Sequence, residues 1–414
     1  MPNFVLQTVR SQVQSVLQEI DRLEGSEFPY QHAKDGLDEL RDVFRDHETT
    51  LSLVTDQSKP DTIEAAYKTA FSSVKGSLDI LGFILRSTNV RNAFEVYGPL
   101  LRLSRQILGP TTKLIISSEW NFSPFTFIGY EHLPDFVLIG FPATESSNPF
   151  LVPLAGHELG HSVWNAFACD TKYRKPIEEK IIEEIKSRWL EYDSVFPGRK
   201  PTELNTDFFV KQTWIPAWNW AMRQSEEVFC DFLGLRLFAE SYLHASAYLM
   251  APWREGRRSF QYPNGTERSQ ILVSAAQAYG MNVPPDYAGM FSDVAEPQDD
   301  QRQAKFLLSI ADEARRSVTS DLMSQVDQIV SSSGVMYRTS QDVERCKDNF
   351  KMMVPSQNVA CLATIINAAW EALLSPPGFF KNPQHDERRD ANLTEIVLKS
   401  IEVHEIEQKL ASHP

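Results

Sequence analysis

The stretch that decides how this chain is interpreted runs from Phe150 to Phe167 and reads FLVPLAGHELGHSVWNAF. In a helix, residues i and i+4 share one face, so His157 and His161 point the same way and can bind one metal ion. Glu158 lies about 100° further around the helix, where it can hold a water beside that ion without becoming a ligand. The spacing therefore predicts a metal-binding helix whose glutamate can hold a water bound to the ion.

The residues that flank this motif decide between a metal helix and an ordinary helix surface. The alternative is a solvent-facing helix that carries two histidines by chance. The flanking segments FLVPLAG and SVWNAF are apolar on several faces, which indicates a buried helix. Because buried imidazoles need polar partners, the buried position favours a metal site.

Composition and charge exclude several classes of partner. The formal net charge is −14 and the sequence pI is near 5.2, and such a field repels phosphate backbones. No basic stripe with interleaved aromatic residues is present, so we predict no nucleic-acid partner. The start MPNFVLQTVRSQVQ has no secretory pattern, and no apolar run is long enough to span a bilayer. Four cysteines without a CxxC pair are typical of a reduced, intracellular protein. We therefore predict a cytoplasmic protein with no membrane partner.

The pattern along the chain predicts a predominantly helical α+β fold. Apolar residues at spacings of three and four in the first segment predict helices: Val9, Val13, Val16, Ile20 and Leu23. Short β-branched and aromatic runs, KLIISSEWNF, FTFIGY and DFVLIGF, then predict a small sheet. We predict a helical N-terminal region at 1–108, a metal-bearing core at 109–290 and a helical C-terminal region at 291–414. The segment DQSKPDT between two N-terminal helices offers Asp61 as a helix cap.

A catalytic zinc site needs a third protein ligand and one open position. The metzincin pattern would place Gly at 164 and His at 167, but this chain has Trp164 and Phe167, so that class is excluded. The helix predicted at 176–194 has an inward apolar stripe, Ile177, Ile181, Ile185 and Trp189. Glu179 and Glu183 lie opposite that stripe, which is typical of a solvated surface.

The stretch RQSEEVFCDFLGLRLF is the remaining source of a ligand. Glu227 and Asp231 are four residues apart and share one helical face. An aspartate one turn from a ligating glutamate can accept the second N–H of a metal-bound histidine. Glu226 is the alternative ligand, but it has no aspartate four residues later.

Together, HELGH and the later ExxxD resemble the gluzincin metallopeptidases, the thermolysin-like class in the broad sense. The resemblance covers these two motifs, and the segment between them is longer than in thermolysin-like enzymes. It implies one Zn²⁺ ion held by His157, His161 and Glu227, with Glu158 as general base and Asp231 supporting a ligand. It also implies a gluzincin-type core, in which an edge strand before the zinc helix binds the substrate backbone. DFVLIGF and FTFIGY are the candidates for that strand.

A further likeness follows in SFQYPNGTERSQIL, which resembles the HP…ER…L stretch of CAAX-processing gluzincins. Tyr262 stands where those enzymes have histidine, and Arg268 matches their arginine. The likeness implies that Tyr262 donates a hydrogen bond to the developing oxyanion and that Arg268 binds substrate. The alternative is that Tyr262 packs and Arg268 pairs locally. If residues 217–250 form one helix, His244 is off the Glu227 face and has a structural role.

These observations favour a zinc metallopeptidase that hydrolyses peptide bonds in a peptide or protein substrate. The alternatives are a non-catalytic zinc-binding protein, in which a fourth protein ligand closes the site, and a helical interaction protein. The helical regions on both sides of the core also suggest restricted access to the zinc, relieved by a regulatory protein partner.

Overall fold

The computed structural model describes residues 2–55, 57–88, 93–145, 147–252, 258–291 and 302–412. This part of the chain is mostly helical, with one small sheet, as the sequence predicts. The first helices are α1 (Pro2–Glu24), α2 (Gln31–Leu53), α3 (Pro60–Arg86) and α4 (Ala93–Leu108). The strands are β1 (Lys113–Glu119), β2 (Phe125–Thr126) and β3 (Phe136–Pro142). The central helices are α5 (Leu154–Ala166), α6 (Cys169–Ser187), α7 (Trp189–Val195), α8 (Phe208–Phe238), α9 (Glu240–Met250) and α10 (Gly265–Ala278). The last helices are α11 (Arg302–Ser332), α12 (Ser340–Lys351), α13 (Leu362–Leu373) and α14 (Arg389–Ser412).

The chain forms two compact units, and each is described by itself. The first contains residues 1–105 and 109–147, and the second contains residues 106–108 and 148–414. This grouping differs from the three predicted regions. The strands belong with the N-terminal helices, and the C-terminal helices belong with the histidine helix. The predicted boundary at 290/291 adjoins residues 292–301, which lie outside the described residues.

The first unit is built on α1, α2 and α3, which pack on one another. The apolar residues that predict α1 all lie in its core: Val9, Val13, Val16, Ile20 and Leu23. The cap of α3 differs from the prediction. Lys59 is the N-cap and Pro60 follows it, so Asp61 lies in the first turn, where its charge favours the helix dipole.

The sheet of the first unit has the strand order β1-β3-β2. Strand β1 pairs with β3 in parallel, and β2 pairs with β3 in antiparallel. DFVLIGF therefore forms the central strand, and the prediction that it offers a free edge is wrong. All seven residues of β3 are buried, which explains its continuous apolar run. In FTFIGY only Phe125 and Thr126 form a strand, and this short β2 lies at an edge.

The second unit centres on α8, which packs against both α5 and α11. Helix α6 packs on α8 and α11 through the predicted stripe, in which Ile177, Ile181 and Ile185 are completely buried. Glu179 and Glu183 are exposed, as predicted. No described helix is both long and apolar enough to cross a bilayer.

The predicted helix over residues 217–250 is broken at Ala239. Helix α8 ends at Phe238 and α9 begins at Glu240, and Ala239 between them has φ 54° and ψ −139°. This backbone conformation is rare for a residue with a side chain. The break redirects α9, so positions on α9 cannot be inferred from the face of Glu227.

Candidate metal centre

Helices α5 and α8 approach each other so closely that their backbones are nearly in contact. A methyl group added at Gly156 would lie 3.0 Å from Gly234 Cα, and one added at Gly160 would lie 2.7 Å from Cys230 Cα. Only glycine fits at such a crossing, because any Cβ would push the helices apart. The two glycines of the histidine helix therefore fix how near its histidines lie to the carboxylates of α8.

Both histidines direct Nε2 toward the carboxylate of Glu227. The distance from His157 Nε2 to Glu227 Oε2 is 3.2 Å, and the distance from His161 Nε2 to Glu227 Oε1 is 3.8 Å. Glu227 Oε2 is buried and accepts no well-directed hydrogen bond from the described residues. Each oxygen of the Glu227 carboxylate thus faces the Nε2 atom of one histidine.

A carboxylate holds the other nitrogen of each histidine. His157 Nδ1 lies 3.0 Å from Asp231 Oδ1, and His161 Nδ1 lies 2.9 Å from Glu226 Oε1. Such pairs fix the orientation and tautomer of the ring and leave Nε2 as the nitrogen for a metal. Glu226 is therefore engaged with His161, and its second oxygen accepts a hydrogen bond from Arg223 at 2.9 Å. This geometry favours Glu227 over Glu226 as the third ligand.

Asp231 is held by several donors besides His157. Arg268 donates from Nε to Oδ2 at 2.6 Å and from Nη2 to Oδ1 at 2.8 Å. The Tyr242 hydroxyl donates to Oδ1 at 2.6 Å. Burial raises the pKa of Asp231, but Arg268 and His157 lower it well below its usual range, so Asp231 stays ionised.

Glu158 lies buried near the same cluster and makes no hydrogen bond to another described side chain. Burial raises the pKa of its carboxyl, and the charges of His157 and His161 partly oppose this effect. A carboxylate with a raised pKa and free oxygens can take up a proton more readily than an ordinary surface glutamate. That property suits a general base.

Without a bound ion, the site holds excess negative charge. Four carboxylates, Glu158, Glu226, Glu227 and Asp231, lie near one buried cation, Arg268, and Glu226 also pairs with the exposed Arg223. Burial lowers the pKa of His157, but its contacts with the Asp231 and Glu227 carboxylates outweigh burial and raise that pKa to about 10. The histidine therefore takes up a proton that offsets part of the charge.

Tyr262 lies beside the cluster, at the end nearest Arg268. The Arg268 guanidinium lies 5.3 Å from the centre of the Tyr262 ring, and Arg268 Nη2 lies 3.7 Å from Glu227 Oε2. The charge of Glu227, followed by burial, raises the pKa of Tyr262 to about 12. Because of this raised pKa the phenol stays protonated at neutral pH. Tyr262 is also 39% exposed, so solvent can reach it.

Helix α11 fixes both ends of the segment that carries Tyr262. Arg258 makes two hydrogen bonds to Asp312, at 2.9 and 2.6 Å, and both residues are buried. At the other end, Arg315 Nη2 lies 2.6 Å from Glu267 Oε1, next to Arg268 in the chain. The C-terminal helical region thus takes part in supporting the site, a role that the sequence does not indicate.

Cys230 is a further ligand-type residue, which the sequence analysis does not single out. Its sulfur, one nitrogen of His157 and one of His161 all lie within 4.8 Å of one another. The thiol is buried against Gly160 of α5. Burial and four neighbouring carboxylates raise the pKa of Cys230 well above its usual value, so without a metal the thiol stays neutral.

The structure brings together most of the predicted residues and gives Arg268 a different partner from the one that the likeness implies. His157, Glu158, His161, Glu227 and Asp231 form one cluster, as the two motifs predict. Arg268 lies inside the cluster and is only 8% exposed, so its observed partner is Asp231. His244 stacks on Trp370 at 5.2 Å, a packing contact.

Besides Cys230, two residues of the cluster are not identified by the sequence in the role that the structure gives them. The sequence offers Glu226 only as an alternative ligand, whereas the structure pairs it with Nδ1 of His161. The sequence does not indicate Tyr242, because its approach to Asp231 depends on the break at Ala239. Comparisons with protein-family models, curated proteins and solved structures find no match for this chain.

The donor set fits a zinc ion. Zinc prefers imidazole and carboxylate ligands in a nearly tetrahedral arrangement, with each histidine held by an outer partner. His157, His161 and Glu227 supply that set, and Asp231 and Glu226 supply the outer partners. The buried Glu227 oxygen without a hydrogen bond is the atom that a cation would satisfy.

Proposed function

We propose that this protein is a zinc-dependent peptidase of the gluzincin type. One observation carries the proposal: both histidine Nε2 atoms converge on Glu227 while both Nδ1 atoms are held by carboxylates. A protein that used these histidines only for packing would not need three buried carboxylates around them, since each costs free energy to desolvate.

The chain's own residues supply the remaining parts of the reaction. Zinc, when bound, supplies a Lewis acid that lowers the pKa of a water and polarises a carbonyl. Glu158 takes a proton from the attacking water as the new C–O bond forms. It then gives this proton to the amine as the C–N bond breaks, which yields a carboxylic acid and an amine. In this proposal the Tyr262 hydroxyl donates a hydrogen bond to the developing oxyanion.

The decisive experiment compares wild-type protein with Glu158→Gln. The probe is a mixed peptide library, with cleavage products identified by mass spectrometry and zinc measured by elemental analysis. We expect the variant to keep one zinc and to lose at least about 100-fold in cleavage rate, the usual contribution of a general base. A variant that cleaves as fast as wild type would refute the role of Glu158. His157→Ala should lose the zinc, and retention of stoichiometric metal would refute the ligand set.

Cys230 supports a second candidate, a non-catalytic zinc site closed by four protein donors. The observation is the approach of its sulfur to both histidines. Cobalt substitution separates the two candidates, because a cobalt–thiolate bond absorbs strongly in the near ultraviolet. The peptidase proposal expects no such band and unchanged zinc content in Cys230→Ser. A strong band that disappears in Cys230→Ser would establish the closed site instead.

The peptide or protein substrate, the cytoplasmic location and the regulatory protein partner belong to this proposal as further parts. The substrate class follows from the chemistry of the site, the location from the sequence composition, and the regulatory partner from the helical regions that flank the site in the sequence. The substrate-binding role of Arg268 is replaced in the proposal by a supporting role, because its guanidinium makes two short hydrogen bonds to Asp231.

A further inference from the structure

Tyr242 is a buried side chain of α9 whose hydroxyl lies inside the metal centre. It donates to Asp231 Oδ1 at 2.6 Å and lies 3.3 Å from His157 Nδ1. The same Oδ1 atom also accepts hydrogen bonds from His157 Nδ1 and from one nitrogen of Arg268. Tyr242 is therefore one of three groups, each from a different helix, that determine where this oxygen sits.

The fold leaves room for the Tyr242 ring at a specific place on α8. Gly234 lies one turn after Cys230, and a methyl group added there would overlap the ring of Tyr242. A side chain at 234 would thus displace the ring from α8 and carry the hydroxyl away from Asp231. The glycine serves two close approaches at once, since Gly156 of α5 also packs against it.

The turn that directs Tyr242 toward Asp231 is strained and held from outside. Ala239 adopts φ 54° and ψ −139°, which costs free energy for any residue with a Cβ. Asn367 of α13 spans this turn. Its side chain donates to Phe238 O at 2.8 Å and accepts from Ser241 N at 2.9 Å. Strain of this kind persists where the surrounding structure enforces it, and it concentrates at functional sites.

We propose that Tyr242 is a positioning residue of the metal centre, which acts through Asp231 on His157. The inference rests on the proposed zinc site but not on peptide cleavage. With Tyr242 in place, Asp231 Oδ1 has a fixed position and His157 Nδ1 has a fixed acceptor. The ring then presents Nε2 to the ion in one orientation, so less free energy is spent on ordering when the ion binds.

The test is the zinc affinity of Tyr242→Phe, measured by competition with a chromophoric chelator. The matched control is Tyr287→Phe, because Tyr287 is also buried and its hydroxyl makes no hydrogen bond to Asp231, His157 or His161. We expect affinity to fall about 10-fold in Tyr242→Phe, the lower end of the effect of outer partners, and to stay unchanged in Tyr287→Phe. The visible spectrum of the cobalt-substituted protein should change in the first variant and not in the second.

Two results would overturn the inference. One is wild-type zinc affinity in Tyr242→Phe, and the other is an equal loss in both tyrosine variants. Gly234→Ala, which displaces the ring, provides an independent variant should Tyr242→Phe not fold, and it should also bind zinc more weakly. Wild-type protein that binds zinc but cleaves no peptide would refute the peptidase and leave this test intact. If wild-type protein cleaves peptides and the Tyr242→Phe and Gly234→Ala variants keep wild-type zinc affinity, only the role of Tyr242 is refuted.

Discussion

At the scale of single residues, the cluster depends on how protons are shared among buried charged groups. His157 sits between Asp231 and Glu227, and these carboxylates make its metal-free form a much stronger base than a free imidazole. A metal ligand must be deprotonated, so an ion that binds there has to displace the proton. The supports that orient His157 therefore also set a pH dependence for metal binding.

We predict that the apparent zinc affinity rises with pH between about 6.5 and 9. The pKa of His157 in the metal-free fold is about 10, above its ordinary value of 6.5. Below about 10 the proton must leave, so affinity should increase about 10-fold for each pH unit from this group. Competition titrations at three pH values measure the slope. An affinity that does not change over this range would contradict the proposed proton displacement.

The same shift determines how pH affects the metal-free fold. Because the folded pKa is raised, protonated His157 adds stability that is fully present below about 6.5. That stability is lost as pH rises through about 10. Metal-free protein should therefore weaken on the alkaline side, where the zinc-loaded protein keeps both histidine ligands neutral and bound.

Much of the cluster was predictable from the sequence, because helical spacing alone brings its parts together. His157 and His161 share a face by their i, i+4 spacing, and Glu227 and Asp231 do so for the same reason. The environment of Arg268 was not predictable, because burial and a bidentate partner are properties of the packed fold. Tyr242 depends on one unusual backbone conformation, for which Ala239 gives no sequence signal.

At the scale of helices, the site depends on the close crossing of α5 and α8. We predict that Gly160→Ala destabilises the protein by about 3 kcal/mol, because its methyl group would meet the backbone of Cys230 at 2.7 Å. Zinc affinity should fall as well, since the histidines would move away from Glu227. Urea unfolding and zinc competition measure the two effects.

The matched control is Gly76→Ala, at an exposed position of α3 where an added methyl group meets nothing within 4 Å. This change should stabilise its helix by about 0.5–1 kcal/mol, because alanine restricts the unfolded chain. If Gly160→Ala is as stable as wild type, the backbone contact does not limit the crossing. The sequence offers no direct sign of this contact, since glycines in GHELGH also suit a loop.

At the scale of the whole molecule, all proposed zinc ligands belong to the second compact unit. We predict that zinc slows amide hydrogen exchange in α5, α8 and α9, because a ligand that binds the folded state suppresses local opening. Helices α1, α2 and α3 of the first unit should exchange at unchanged rates. Hydrogen exchange with mass spectrometry of metal-free and zinc-loaded protein measures both. Uniform protection of the two units would contradict a site confined to the second.

The grouping of segments into units was the least predictable level of the fold. Periodicity in the sequence gives the helices and strands, because each element reports which of its own faces is buried. It does not report which element covers that face. The strands therefore looked like part of the histidine region, although they belong with α1–α3.

The glycine crossing of α5 and α8 has a consequence for which ions the site accepts. Side chains can repack around a larger ion, but Gly156 and Gly160 bring the main chain of α5 into contact with the main chain of α8. The span from the histidines to Glu227 is therefore set by two main chains that cannot come closer and are held by their neighbours. We expect the site to discriminate by ionic radius, with a larger divalent ion such as cadmium bound in strained coordination and released more readily than zinc.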